Sequence, residues 1–186
     1  SVIKMGNAVC RYCGSLQSVV IGNGLTSLGS SVFANCAVLG DVVLGSAITD
    51  IPSGSFGSSP GVSFVTDMTQ YLNTTTGHAV LPEGTTSIPA YAFYRRTDLV
   101  SISLPDSLVV IGTGAFQQST LASISLPDSL VVIDQEAFAQ SALTSLVIPD
   151  SVIKMGNAVC RYCGSLQSVV IGNGLTSLGK SVFQNC

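Results

Sequence analysis

Six cysteines are the residues of this sequence with the most reactive side chains, and they fall into two triplets of identical spacing. The triplets are Cys10, Cys13, Cys36 and Cys160, Cys163, Cys186. A C-x-x-C pair is typical of a redox couple or of half a zinc site. Structural zinc takes four ligands, whereas each triplet offers three cysteines and no nearby histidine. A redox couple requires a strand-to-helix setting that lowers the pKa of one thiol, and the sequence indicates none. We therefore predict neither a metal site nor a cofactor site here.

The acidic residues and the only histidine raise two further chemistries. Asp106, Asp128 and Asp150 each follow a proline at the same place in a repeated pattern. Aligned carboxylates can collect Ca²⁺, but an aspartate at a turn is explained by turn geometry without a metal. A Ser-His-Asp arrangement would depend entirely on His78, which lies outside any nucleophile-elbow motif. We predict that the protein is not an enzyme.

The segment 62–78 departs from the pattern of the rest of the chain and contains an "NTT" triplet that begins at Asn73. This triplet is an N-glycosylation acceptor pattern in a protein secreted by a eukaryote. The alternative is a loop that carries no sugar. We name Asn73 as the candidate glycosylation site and the segment 62–78 as a candidate contact region.

A cluster of aromatic and basic residues, "YAFYRR", occupies positions 91–96. Phe93 falls in a core position of the repeated pattern, which leaves Tyr94, Arg95 and Arg96 as candidates for an exposed contact patch. Tyrosine and arginine are enriched among residues that dominate binding energy. The alternative is an ordinary solvated turn.

A short repeat positions all of these residues. The unit "LVSISLPDSLVVIGTGAFQQST" at 99–120 recurs at 121–142 as "LASISLPDSLVVIDQEAFAQSA". Repeats of 20 to 50 residues are the mark of solenoids. We predict a single solenoid over residues 1–186. Its repeats lie near 1–15, 16–38, 39–61, 62–75 (irregular), 76–98, 99–120, 121–142, 143–165 and 166–186.

The alternation of side chains within each repeat predicts a short strand and then a turn. In the repeat 99–120, Ile102 and Leu104 project to one side, and Ser101 and Ser103 project to the other. The following proline lacks an amide hydrogen, so the chain must turn there. A unit this short cannot bury its apolar face alone, and only neighbouring units can cover it. We expect short parallel strands stacked about 4.8 Å apart, joined by short irregular or 3₁₀ return segments.

The cores "LPDSLVVIGTGAF" at 104–116 and "LPDSLVVIDQEAF" at 126–138 resemble the leucine-rich repeats of the BspA-like, or Treponema pallidum, type. The resemblance extends over nearly the whole chain and breaks down only near 62–75. It implies a curved solenoid that is usually displayed on microbial or protist cell surfaces for adhesion or protein binding. It also implies a protein without catalytic activity.

The repeat register assigns the cysteines to positions. Cys10 and Cys160 occupy the position that phenylalanine holds in other repeats, so we expect them to be buried and free. Cys13 and Cys36 occupy equivalent positions in successive repeats, as do Cys163 and Cys186. Stacked positions about 4.8 Å apart lie within the usual range of Cα separations for a disulfide. We predict Cys13–Cys36 and Cys163–Cys186 as disulfides or as paired thiols.

A second, longer period overlies the first. Residues 1–36 match 151–186 except at Ser30, which becomes Lys180, and Ala34, which becomes Gln184. Such identity indicates either recent duplication of a block or pressure that keeps the blocks alike. Neither end of the chain carries a polar capping unit. We therefore expect either part of a longer tandem array or a subunit whose ends stack on copies of itself.

Composition removes several functional classes. Charged residues make up 9% of the chain and the net charge is −3, which does not suit nucleic-acid binding. No uninterrupted apolar run approaches the roughly 18 residues of a membrane helix. Two hypotheses remain. The first is a non-enzymatic structural protein, a segment of an extracellular tandem array that assembles with copies of itself into a filament or surface layer by end-to-end solenoid stacking and lateral packing. The second is a cell-surface adhesin that binds a host or matrix protein.

Overall fold

The computed structural model describes residues 4–52, 54–59, 62–65 and 67–186. The chain divides into two compact units, Ser1–Asp67 and Met68–Cys186. Each unit is a stack of short parallel strands from successive repeats, so the predicted leucine-rich-repeat solenoid fold is confirmed. We call the structure formed by one repeat a rung. That one uninterrupted solenoid runs through residues 1–186 stays a prediction.

The strands are two to four residues long, and a rung such as 143–165 contributes one strand to each of two sheets. In the described residues they are β1 Val19–Ile21, β2 Asp41–Leu44, β3 Ser63–Val65, β4 Leu72–Asn73, β5 His78–Val80, β6 Ser87–Ile88, β7 Ser101–Ser103, β8 Val110–Ile111, β9 Val132–Ile133, β10 Ser145–Ile148, β11 Lys154–Met155, β12 Ser168–Ile171 and β13 Ser177–Leu178. A 3₁₀ helix spans Asp67–Tyr71.

Pairing between strands follows the repeat length. In the first unit the sheet order is β1-β2-β3, and Val19 lies opposite Val42. The second unit contains the sheets β4-β5-β7, β10-β12 and β6-β8-β9-β11-β13. Its register places Val110 opposite Val132 and Ser145 opposite Ser168. Residues 22 or 23 positions apart in sequence are therefore side by side throughout each stack.

The apolar residues of each rung face inward and form columns along the stack. In β2 the burial alternates, with Val42 and Leu44 buried and Asp41 and Val43 exposed. Phe116 stacks between Phe93 and Phe138, with ring centroids 5.4 Å apart on both sides. Burial of each such side chain is worth about 1.5–3 kcal/mol, and this gain is available only when a neighbouring rung is present.

The return segments are more regular than the sequence suggested. Each is a tight turn with two residues of positive φ four positions apart, such as Tyr91 and Arg95 at 57° and 55°. This left-handed conformation is unfavourable for residues other than glycine. It is maintained because alternate amides donate to carbonyls of the next rung: Phe93 N to Ala115 O at 2.7 Å and Arg95 N to Gln117 O at 2.9 Å. These bonds form a second ladder along the stack.

The irregular segment 62–78 combines a rung strand with a hairpin. Strand β3 pairs in parallel with β2. Strands β4 and β5 pair antiparallel, with Asn73 opposite His78. Strand β5 then pairs in parallel with β7, so the regular stack resumes at His78.

Candidate functional site

A ridge of polar and aromatic side chains follows the return turns of the second unit. Arg95 has a positive φ, which points its exposed side chain along the stack rather than into the core. Its guanidinium lies 5.0 Å from the ring centroid of Tyr94. Its Nε donates a hydrogen bond to Oε1 of Gln118, one rung further, at 2.7 Å. Both partners hold the guanidinium in one orientation.

The same ridge continues over two more rungs. Gln118 donates through Nε2 to Oε1 of Gln140 at 2.8 Å. On the next rung, the guanidinium of Arg161 lies 4.7 Å from the ring centroid of Tyr162, and its Nη2 donates to the tyrosine hydroxyl at 3.1 Å. Arg95 and Tyr162 are three rungs apart, or about 14 Å. We call this set, Tyr94, Arg95, Gln118, Gln140, Arg161 and Tyr162, the outer ridge.

Sequence reasoning identified Tyr94 and Arg95 but missed Arg161 and Tyr162. The repeat register could have identified them, because Arg161 and Tyr162 are equivalent in the repeat to Tyr94 and Arg95. The dipeptide also occurs at Arg11–Tyr12 in the first unit, where the guanidinium again lies 4.7 Å from the ring centroid.

Arg96, the third residue of the predicted patch, has a different role. Its Nε and Nη2 donate to the two carboxylate oxygens of Asp98 at 2.8 and 2.6 Å. Hydrogen bonding from Arg96 lowers the pKa of Asp98 below its ordinary value. This bidentate pair fixes the turn, so the structure brings Tyr94 and Arg95 together and turns Arg96 aside.

Tyr91 supports the ridge from beneath. Its ring meets the ring of Tyr94 edge to face, with centroids 5.5 Å apart. It also lies over Gly114, where an added Cβ would collide with the ring. Burial raises the pKa of Tyr91, and the nearby Glu136 carboxylate adds to the effect. Gly114 has a φ of 58°, so both its conformation and its missing side chain are required here.

The six cysteines are all free thiols in the structure. Cys160 is buried in the position that Phe138 holds one rung earlier, as predicted, whereas Cys10 is partly exposed. Cys13 with Cys36, and Cys163 with Cys186, occupy successive rungs. Whether these pairs form disulfides stays a prediction. In the described residues, no group of three histidine, cysteine or acidic residues is arranged to hold a metal ion.

Asn73 and His78 lie at the hairpin. Asn73 is exposed, and its Oδ1 accepts hydrogen bonds from the amides of Thr75 and Thr76 at 3.0 and 3.2 Å. Glycosylation of Asn73 stays a prediction. The two ring nitrogens of His78 share hydrogen bonds with the hydroxyls of Ser101 and Ser103 at 2.7 and 3.2 Å. Both nitrogens thus face hydroxyls rather than a carboxylate that would orient the ring for catalysis.

Two open hollows of about 350 and 240 Å³ lie on the sheet face on either side of residues 121–127. These residues form no strand, so they separate β7 from β10. Each hollow is lined by one isoleucine, one leucine and one proline together with serine and one carboxylate, Asp128 or Asp106. Asp106 and Asp128 therefore border shallow depressions of mixed polarity.

The duplicated sequence provides one rung in two environments. In the first copy, residues 16–36, Ile21 and Leu28 are 4% and 0% exposed, because the rung 39–59 covers them. In the second copy, the identical residues Ile171 and Leu178 are 45% and 53% exposed. We call this second copy, residues 166–186, the terminal rung. Its outer side is an apolar surface whose covered form is visible in the same chain.

The backbone amides of the two copies also differ in whether a following rung provides hydrogen-bond acceptors for them. In the first copy, the amide of Phe33 donates to Ser55 O and that of Asn35 to Gly57 O, both at 2.7 Å. The ring of Phe33 also stacks on Phe56, with centroids 5.3 Å apart. Within the described part of the chain, no rung offers such acceptors to Phe183 and Asn185, the matching residues of the terminal rung.

Comparison with known proteins gave a family and several structures. A family model described as BspA type leucine rich repeat region matches residues 1–74 and 66–186, with six copies of the repeat. A search of curated proteins found no significant match. Among the described residues, no helix is long and apolar enough to cross a membrane.

Three solved structures illustrate the similarity. The pneumococcal vaccine antigen PcpA is 20% identical, with a TM-score of 0.55 over 95% of this chain and 57% of that one. The leucine rich repeat protein of T. pallidum is 26% identical, with a TM-score of 0.46 over 95% and 68%. A leucine rich cell surface protein from Faecalibacterium prausnitzii is 21% identical, with a TM-score of 0.32 over 98% and 68%. This chain thus spans little more than half the length of the pneumococcal protein.

Proposed function

The chain belongs to the BspA-type leucine-rich repeat family, and on that premise we propose that it is a non-enzymatic structural protein outside the cell. In this proposal its solenoids stack end to end and pack side by side into a filament or surface layer. Repeats of this type are usually displayed on cell surfaces, which supports the extracellular or cell-surface location.

The proposal rests on the duplicated rung, because its two copies have nearly the same sequence but differ in whether a following rung covers them. The first copy buries Ile21 and Leu28 beneath a following rung, while the second exposes Ile171 and Leu178 by about half. A rung of the same chemistry seated on the terminal rung would remove this apolar surface from water at about 25 cal/mol per Å². We propose that an equivalent rung, of the same tandem array or of a second copy of the chain, covers this surface.

The polarity of the return-turn ladder favours head-to-tail joining. Along the stack, the amides of one rung donate to the carbonyls of the next, as Cys10 N donates to Val32 O. The terminal rung therefore presents amides, those of Phe183 and Asn185. The first rung presents the carbonyls of Val9 and Arg11, which match Val32 and Ala34 by the repeat. Donors on one side of a rung and acceptors on the other form a heterologous contact, the type that propagates into open filaments.

The exposed face of the sheet supports side-by-side packing. In each unit its outward positions are mostly serine and valine, and Val20 of the first unit and Val147 and Val170 of the second are each more than half exposed. Small, uncharged side chains leave a flat surface that can approach its own copy closely.

Electron microscopy and sedimentation of the purified chain test the proposal. We expect regular fibres or layers in micrographs and an average mass that rises with protein concentration. The Leu178→Lys variant should lose this assembly, because it places a charge on the terminal rung. Val100→Lys is the matched control, since Val100 is 54% exposed but lies within the stack and is not one of the valines of that outward face. Dispersed monomers at all concentrations would contradict the proposal.

A second candidate function is adhesion, and the outer ridge is the observation that favours it. Two arginine–tyrosine pairs, Tyr94–Arg95 and Arg161–Tyr162, stand about 14 Å apart on one surface, each held by a cation–π contact. Preorganised arginine and tyrosine side chains are typical of protein-binding surfaces. In this alternative the ridge binds a host or matrix protein.

Binding to immobilised extracellular matrix proteins tests this alternative. The double variant Tyr94→Ala with Arg95→Ala should lose at least tenfold in affinity, whereas Thr97→Ala, at an exposed neighbouring position, should bind as the parent does. Equal binding by all three proteins would exclude the ridge as the contact surface.

A further inference from the structure

Most return turns end in a position that is filled by serine or cysteine, and in the turn 91–96 the same position is filled by Arg96. In four of these turns, those of Cys36, Ser59, Cys163 and Cys186, the side chain donates to the backbone carbonyl of a residue in the preceding rung. Ser119 instead donates to Phe116 O of its own rung. Cys163 Sγ donates to Phe138 O at 3.0 Å, and Cys186 Sγ to Cys160 O at 3.0 Å. In the first unit, Ser59 Oγ donates in the same way to Phe33 O at 2.8 Å. A hydroxyl therefore meets the structural requirement of this position without sulfur.

Only the duplicated segment places cysteines at this position in two successive rungs. Tyr162 N donates to Gln184 O at 2.8 Å, which holds the rungs of Cys163 and Cys186 in register. In the first unit, Tyr12 N donates to Ala34 O at 2.9 Å and does the same for Cys13 and Cys36. Adjacent rungs about 4.8 Å apart fall inside the roughly 4.4–6.8 Å range of Cα separations in disulfides.

Within each of these pairs, one thiol is accessible and its partner is buried. Cys186 is exposed and Cys163 is fully buried, whereas in the first unit Cys13 is partly exposed and Cys36 is buried. The third cysteine of the second triplet, Cys160, is also fully buried. An oxidant in solution can therefore reach Cys186 but neither member of the Cys160–Cys163 pair.

The surroundings of Cys163 suit it to complete the reaction. A hydrogen bond with the thiol of Cys160 lowers the pKa of Cys163, and a further one with Ser141 acts in the same direction against the effect of burial. The same contact with Cys163 raises the pKa of Cys160, so of the two buried thiols Cys163 is the one that ionises. The thiolate is the form that attacks a disulfide.

We propose that each cysteine triplet closes one disulfide between successive rungs, Cys163–Cys186 and Cys13–Cys36, by exchange with a small-molecule disulfide. The thiolate of Cys186 attacks one sulfur of the small disulfide and releases its other half as a thiol. The thiolate of Cys163 then attacks the Cys186 sulfur and expels the second half. The protein loses two hydrogens and the small disulfide is reduced to two thiols. Cys13 and Cys36 react in the same way.

Oxidised glutathione and peptide mapping test this proposal on the whole chain. The reduced protein is treated with the disulfide, remaining thiols are alkylated, and peptides are mapped without reduction. We expect peptides linked through Cys163–Cys186 and Cys13–Cys36, with Cys10 and Cys160 alkylated. A link between Cys160 and Cys163, or between Cys10 and Cys13, would overturn the proposal. Six alkylated cysteines after saturating oxidant would also overturn it.

Serine variants provide the controls, because serine occupies the same position naturally in other rungs. Cys186→Ser should lose the Cys163–Cys186 link and retain Cys13–Cys36, and Cys36→Ser should do the reverse. Circular dichroism of the reduced variants should match the parent. Brief alkylation of the reduced parent gives a second measurement, in which Cys186 should react at least tenfold faster than Cys163. Equal rates would contradict the proposed entry through Cys186.

Discussion

Leu28 and Leu178 are the same residue of a duplicated sequence, and substituting each by alanine separates folding from assembly. Leu28 is 0% exposed and Leu178 is 53% exposed. Replacing a fully buried leucine by alanine costs about 2–5 kcal/mol, so we expect Leu28→Ala to lower the free energy of unfolding by about 3 kcal/mol. At Leu178 about half of the side chain is already in water. Since full burial of a leucine is worth about 1.5–3 kcal/mol, we expect a loss below about 1.5 kcal/mol there.

The same burial energies predict that Leu178→Ala, and not Leu28→Ala, is the substitution that weakens self-association. If a second copy covers the terminal rung, the exposed half of Leu178 becomes buried in the contact, which is worth about 1 kcal/mol. Leu178→Ala should then weaken association about fivefold, while the folded fraction of Leu28→Ala should associate as the parent does.

Urea denaturation followed by circular dichroism measures the first effect, with the m-value checked for constancy. Sedimentation equilibrium of the native variants measures the second. Equal stability losses for the two variants would refute the reasoning that only a covering rung buries this position. Unchanged association of Leu178→Ala would refute the role of the terminal rung.

Three further predictions concern stability. Gly114→Ala should lower the free energy of unfolding by about 1–3 kcal/mol, since it strains a left-handed residue and displaces Tyr91. Gly164→Ala is the control, because Gly164 has open space around it and its substitution should have little effect. Equal losses of stability in the two variants would contradict this. Phe116→Ala should cost about 3–5 kcal/mol because it removes the middle ring of the stack, and a loss under about 1 kcal/mol would show that the stack is unimportant. Asp98→Asn should destabilise the protein at neutral pH. The pKa of Asp98 in the folded protein is below its ordinary value of 3.8, so its ionised form stabilises the fold above that pH. This stabilisation is lost as the pH falls through the folded-state pKa. The difference from the parent should therefore disappear in acid, and a difference that persists below the folded pKa would contradict the assignment.

Much of the fold was readable from the sequence because a single requirement determines it. A rung of 22 or 23 residues can bury its apolar side only against an equivalent rung, so the spacing of leucine, isoleucine and phenylalanine predicts the register directly. The outward position of Ser103, which is exposed beside the buried Ile102, was also predicted, because side chains alternate along a strand. The burial of Cys160 in a phenylalanine position followed from the same register.

The candidate site was only partly readable. Arg96 was grouped with Arg95 because they are adjacent in sequence, but the turn directs one to Asp98 and the other along the ridge. Arg161 and Tyr162 were missed because they are more than 60 residues from Tyr94 along the chain. A contact across rungs depends on where each turn places its side chains, and spacing alone does not specify that.

The sequence by itself determined the repeat length, the inward columns and the equivalence of cysteines in successive rungs, because burial of apolar side chains depends only on their period. The tertiary structure alone decided the left-handed turns at residues such as Tyr91 and Arg95, and with them the direction of the outer side chains. These torsions are unfavourable for a free chain. They persist because hydrogen bonds to the next rung compensate for the strain, and that rung becomes a neighbour only when the chain is folded.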